Sequence, residues 1–87
     1  MYMSDRADSF GGFVRARRRK LDLRQEELAA LAGVSTRFVH TVEHDKQTVR
    51  LDSLLTLLDT LGVKLVATGP EGSVDVNFFA GSEVLSP

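Results

Sequence analysis

Residues Arg24 to Lys46 read RQEELAALAGVSTRFVHTVEHDK, and the fold turns on how this stretch is parsed. Leu28, Ala29, Leu31 and Ala32 fall at helical spacing behind Glu26 and Glu27, two acids that suit the positive end of a helix. Gly33 closes that helix, because a residue without Cβ takes the left-handed conformation at no steric cost. Ser35 opens the next helix as an N-cap, its hydroxyl accepting a bond from a free backbone N–H. Val39 and Val42 sit three apart and form the buried edge, while Thr36, Arg37, His40 and Thr41 point elsewhere. Two helices this short, joined through a glycine, describe a helix-turn-helix. The polar side of its second helix is the part suited to a major groove.

Upstream, Asp8 or Ser9 caps a first helix that runs to about Lys20, with Phe10, Val14 and Leu21 on its inner face. Gly11-Gly12 should weaken its first turn, at roughly 1 kcal/mol per glycine against alanine. Asp22 and Asp45 stand at the turns that follow the first and third helices, and aspartate is among the few residues that tolerate positive φ. Downstream, a fourth helix over residues 51–61 carries Leu51, Leu54, Leu55, Leu58 and Leu61 as a core stripe, with Leu57 at its edge. Gly62 stops it. Residues 63–68 have strand composition, with Val63, Leu65 and Ala67 on one face. Gly69-Pro70-Glu71-Gly72 is a turn, and residues 73–80 alternate as a second strand. Residues 1–8 read as a loose start and 81–87 as a disordered tail. The organisation is thus a DNA-binding unit over 9–62 followed by a strand or hairpin over 63–80.

Eighty-seven residues, 43% hydrophobic and 26% charged, make one small globular domain with a thin core. There is no cysteine, which excludes a disulfide frame and thiolate metal sites. No apolar run reaches signal-peptide or membrane-span length, so the reading is cytoplasmic, without a membrane partner. The net charge of −1 hides an asymmetry: residues 1–50 carry +3 and residues 51–87 carry −4. One face can attract phosphate while the other avoids it. The run Arg15, Arg17, Arg18, Arg19, Lys20 is either a solvated helix end or a phosphate contact.

Enzyme chemistry has little to stand on. There is no glycine-rich phosphate loop, nucleophile elbow or cysteine nucleophile. His40 and His44 lie four apart but lack a third metal ligand at a telling distance, so neither a metal nor another cofactor is expected. Phe38 either packs on a neighbouring helix or touches a thymine methyl.

Gln25-x-x-Leu28-Ala29-x-x-Ala32-Gly33-Val34-Ser35, followed by Val39, Val42 and Glu43, resembles the phage-repressor (Xre/Cro) type of helix-turn-helix. Residues 21–66 are similar to its HipB branch, antitoxins that repress their own operons. The resemblance implies a mainly α fold, a lambda-repressor-like bundle of four to five helices with a C-terminal β-strand or hairpin used in dimerisation. It implies base reading by Ser35, Thr36, Arg37 and Thr41, where the Arg37 fork suits guanine O6 and N7. Phosphates would be held by Gln25, flanked by Arg24, His40, Lys46, Thr48 and Arg50. Arg18 and Glu43 would form a structural ion pair, and Val63, Leu65, Val66 and Ala67 a homodimer interface on a palindromic operator. Phe78 and Phe79 would serve a HipA-like kinase toxin. The chain departs from the family at Arg24, commonly threonine or asparagine, and at Asp22 and Asp45, where glycine is usual. The runner-up is a helix-turn-helix interaction module without specific DNA binding, which the acidic C-terminal half and the missing cap at Arg24 allow.

Overall fold

In the computed structural model, which describes residues 9–76, four helices are followed by a two-stranded antiparallel hairpin. The helices are α1 (Phe10–Lys20), α2 (Gln25–Ala32), α3 (Thr36–Glu43) and α4 (Leu51–Thr60); the strands are β1 (Val66–Gly69) and β2 (Gly72–Asp75). The fold is a helix-turn-helix bundle with a C-terminal hairpin. Among the described residues, no helix is long and apolar enough to cross a membrane. The expected loose start, the disordered tail and the Phe78-Phe79 pair lie outside the described residues.

All four helices end alike. The chain takes positive φ at Asp22 (64°), Gly33 (73°), Asp45 (57°) and Gly62 (73°). The next residue then donates its N–H back to a carbonyl five positions earlier: Leu23 to Arg18, Val34 to Ala29, Lys46 to Thr41 and Val63 to Leu58. This closes otherwise orphaned helix carbonyls. The two aspartates therefore do the work that glycine does at the other two ends. Leu23, Val34 and Val63, delivered by three of these turns, pack against the core.

The core gathers Val14 from α1, Leu28, Ala29 and Ala32 from α2, Val39 and Val42 from α3, Leu54, Leu57 and Leu58 from α4, and Leu61 from its C-cap. α2 packs on both α3 and α4, and α1 packs on α3. The leucine stripe differs from expectation at two places. Leu57 is fully buried, whereas Leu51 is 52% exposed. Leu51 is the first helical residue, ahead of the turn from which α4 covers the core.

α1 corrects the sequence reading more deeply. Its buried line is Gly11, Val14 and Arg18, while Phe10 and Leu21 stand partly open. The reason is a close approach: a Cβ on Gly11 would lie 2.5 Å from the Glu43 carbonyl oxygen and 2.7 Å from that of Val42. The first turn is held rather than weakened. Ser9 Oγ accepts from the Gly12 N–H at 3.0 Å, and Asp45 Oδ1 accepts from the Gly11 N–H at 2.7 Å.

The hairpin starts later than the pattern suggested. Val63 belongs to the end of α4 through its bond to Leu58, so the strand begins only at Val66. Val63 and Leu65 pack on the bundle, and the Leu65 carbonyl still accepts from the Val76 N–H at 2.8 Å, one step beyond the paired strands. Pairing runs Val66 with Asp75, Ala67 with Val74, Thr68 with Ser73 and Gly69 with Gly72. Lys64 and Asp75 add an ion contact at 3.6 Å.

Candidate nucleic-acid interface

Helix α3 owes its position to its apolar edge and to one charged residue. Val39 and Val42 are buried in the core, and Phe38 packs partly against it, which favours the packing role over a thymine contact. Glu43 is 2% exposed and receives a fork from Arg18: Nε donates to Oε2 at 2.6 Å and Nη2 to Oε1 at 2.9 Å. The Arg18 Nη1 donates to the Leu23 carbonyl at 2.9 Å. Gln25 Nε2 adds a third bond to Glu43 Oε1 at 3.1 Å, and Arg15 Nε lies 3.6 Å from the same oxygen. Burial by itself would raise the Glu43 carboxyl. The hydrogen bonds from Arg18 and Gln25, with the charges of Arg18 and Arg15, outweigh it and hold the group below its usual value. One carboxylate therefore ties α1, the start of α2 and the end of α3 together.

The opposite side of α3 is open. Ser35, Thr36 and Arg37 are exposed and Thr41 is half-buried. Arg37 makes no ion pair among the described residues, so its guanidinium keeps its full set of donors. Ser35 is partly committed: its Oγ accepts from the Phe38 N–H at 3.0 Å as the N-cap. His40 is stacked on His44, ring centroids 3.9 Å apart, and His44 Nδ1 sits 2.9 Å from the His40 carbonyl. The histidines thus order each other. Among the described residues, no three His, Cys, Asp or Glu side chains gather to hold a metal.

The expected phosphate contacts fall into three groups, the first being Gln25, half-buried with its amide on Glu43, and His40, exposed and stacked on His44. Lys46 and Thr48 are exposed beyond α3, and Lys46 is the one charged residue at the four post-helix positions filled elsewhere by Leu23, Val34 and Val63. Arg24 and Arg50 have carboxylate partners. Arg24 lies 3.5 Å from Glu27 and 3.9 Å from Glu26, and its own N–H donates to Glu27 Oε1 at 2.8 Å. Glu27 thus supplies half of a capping box, and an arginine side chain has no acceptor with which to supply the other half. The Glu27 carboxyl is lowered by that backbone bond first and by the guanidinium second. Arg50 forks onto Asp52 at 3.2 and 2.9 Å in full exposure. Such surface pairs are weak and can be exchanged for a phosphate.

Three contacts escaped the sequence reading: the close approach at Gly11, the bond from its N–H to Asp45, and the reach of Arg17 to α4. The Arg17 Nε donates to the Leu61 carbonyl at 2.7 Å, bracing the end of α4 from α1. The Gly11-Gly12 pair was the one available signal, since paired glycines within a helix mark a close approach as readily as a weak turn.

This arrangement has known relatives. A family model described as "Helix-turn-helix domain" matches residues 9–68. A protein of Sinorhizobium fredii (strain NBRC 101917 / NGR234), named "Uncharacterized HTH-type transcriptional regulator y4mF", is 40% identical over 60 residues, which span 69% of this chain and 79% of that protein. With a buried Arg18–Glu43 tie behind α3 and an open polar face before it, this chain belongs to the helix-turn-helix domain family.

Proposed function

We propose that the protein is a sequence-specific DNA-binding transcriptional repressor, with α3 read into the major groove. The observation that carries this is the contrast across α3: Glu43 and both valines are locked inward, and Thr36 and Arg37 are exposed, with no ion pair or hydrogen bond from their side chains among the described residues. A helix held rigidly by its back presents its front in one geometry, as base reading requires. Arg37 is the principal base reader, with Ser35, Thr36 and Thr41 beside it; Gln25, Lys46 and Thr48 hold the backbone. It is a binding protein of the cytoplasm rather than an enzyme.

It works as a homodimer, since one such helix reads too few base pairs and two half-sites lie about one DNA turn apart. The support is the hairpin, where Ala67 and Val74 form a cross-strand pair exposed to solvent. The similarity of residues 21–66 to the HipB branch adds an antitoxin role, with a HipA-like kinase encoded beside it as the partner. The alternative, an interaction module without specific DNA binding, draws on Arg24 and Arg50, both paired to carboxylates. Titration against the DNA upstream of its own gene and against random duplex, across a salt series, separates the two. A repressor prefers its own DNA and loses affinity steeply with salt. A module does neither.

A further inference from the structure

The basic run of α1 divides into two sets. Arg17 and Arg18 are turned inward, onto the Leu61 carbonyl and onto Glu43. Arg15 and Arg19, one turn apart, line one wall of a groove of about 410 Å³ whose other wall holds Glu43 and Asp45. Both carboxylates are already engaged. Glu43 receives Arg18 and Gln25, and Asp45 receives the Gly11 N–H at 2.7 Å. Among the described residues Arg15 has one ion contact, a long one of 3.6 Å to Glu43, and is 37% exposed, its charge also reaching Asp45, while Arg19 makes no ion pair. Along the lining Arg15 and Arg19 balance Glu43 and Asp45, and Arg18, forked onto Glu43 from behind, brings the neighbourhood to three arginines against two carboxylates, with the accessible pair on the α1 wall.

Its position matters as much as its charge. Arg15 Nε and Gln25 Nε2 address the same oxygen of Glu43, so the groove borders the start of α2. At its other side Asp45 is followed directly by exposed Lys46. The groove thus lies between two residues read as backbone contacts of a duplex. We infer that it is a further phosphate site, in which the Arg15 and Arg19 guanidinium groups take a phosphodiester of the DNA that α3 reads. This rests on the DNA-binding reading. Guanidinium forks suit phosphate oxygens bidentately, and Glu43 orients the Arg15 fork by holding its Nε side.

The test uses the whole chain and a fluorescein-labelled random-sequence duplex, because a phosphate contact is blind to sequence. The variants are Arg15→Gln, Arg19→Gln, Arg15→Lys, and Lys64→Gln as a control on the hairpin. Each glutamine variant on α1 lowers the slope of log affinity against log salt by about 0.9. Each also weakens random DNA and the DNA upstream of the gene by the same factor. Arg15→Lys keeps the slope, and so does Lys64→Gln. If wild type shows a steep slope that either Arg15→Gln or Arg19→Gln leaves unchanged, the two-arginine site is wrong while the DNA reading stands. If wild type itself shows no salt-dependent binding, both fall. Melting curves guard the comparison, and Arg19, which touches no carboxylate among the described residues, carries it should Arg15→Gln fail to fold.

Discussion

The bundle and the hairpin obey opposite rules of construction. Within the bundle, Val14, Leu28, Val39, Leu57 and Leu58 have no exposed surface, and even its one buried carboxylate has three hydrogen bonds. In the hairpin every residue of β1 is exposed, and Val66 and Val74 keep 50% and 58% of their surface in water. Two strands of four residues do not hold themselves together in water. The helical part is complete in one copy of the chain. Among the described residues the hairpin lies open, and a second copy is the cover we propose.

The comparison breaks first at Arg18. Arg18→Ala strands the Glu43 carboxylate inside the bundle, and the expected loss in denaturant unfolding is about 3–5 kcal/mol. The pair has a pH signature as well. Because the folded Glu43 carboxyl is held below its usual value, its contribution is fully present above the unfolded pKa of about 4.3. It disappears as pH falls through the lower, folded value. Acid should therefore lower the melting temperature of wild type in that window, and Glu43→Gln should flatten the response.

Gly11→Ala comes next. The added carbon meets main-chain atoms of Val42 and Glu43, which cannot swing aside as a side chain can. The cost is about 1–3 kcal/mol, as for overpacking elsewhere. If the substitution is neutral, α1 does not approach α3 as described. Smaller still is Val74→Asp on the hairpin, which should change bundle stability by less than about 0.5 kcal/mol. Its effect should appear in sedimentation instead, as a shift from dimer towards monomer. A variant that stays dimeric would place the interface elsewhere.

Much of the bundle was legible because its signals are local. Ser35 caps α3, and Asp22 and Asp45 adopt the left-handed turns that their side chains tolerate. The leucine spacing located the core face of α4, though not its ends: Leu51 lies outside it and Leu57 inside. What stayed illegible depends on separation in the chain. Nothing near Gly11 says that Glu43 will come within contact of it, or that Asp45 will accept its N–H. Arg17 and Arg18 look alike in sequence; the resemblance singled out Arg18 as the partner of Glu43, which it is, whereas nothing pointed Arg17 to the end of α4. The strand boundary moved because the turn after α4 draws Val63 into its own hydrogen bonding. At the interface, the exposure of Thr36 and Arg37 followed from the valine edge, whereas the carboxylate partners of Arg24 and Arg50 were not foreseen.

The central claim is that the open face of α3 reads bases while the residues behind it only hold it still. Its most direct test is Arg37→Ala, titrated against the DNA upstream of the gene and against random duplex under one salt condition. The account predicts a loss of about 1–3 kcal/mol on the former, with preference relaxed at one base pair and random-duplex affinity nearly unchanged. An equal loss on both duplexes would make Arg37 a phosphate contact and contradict the claim.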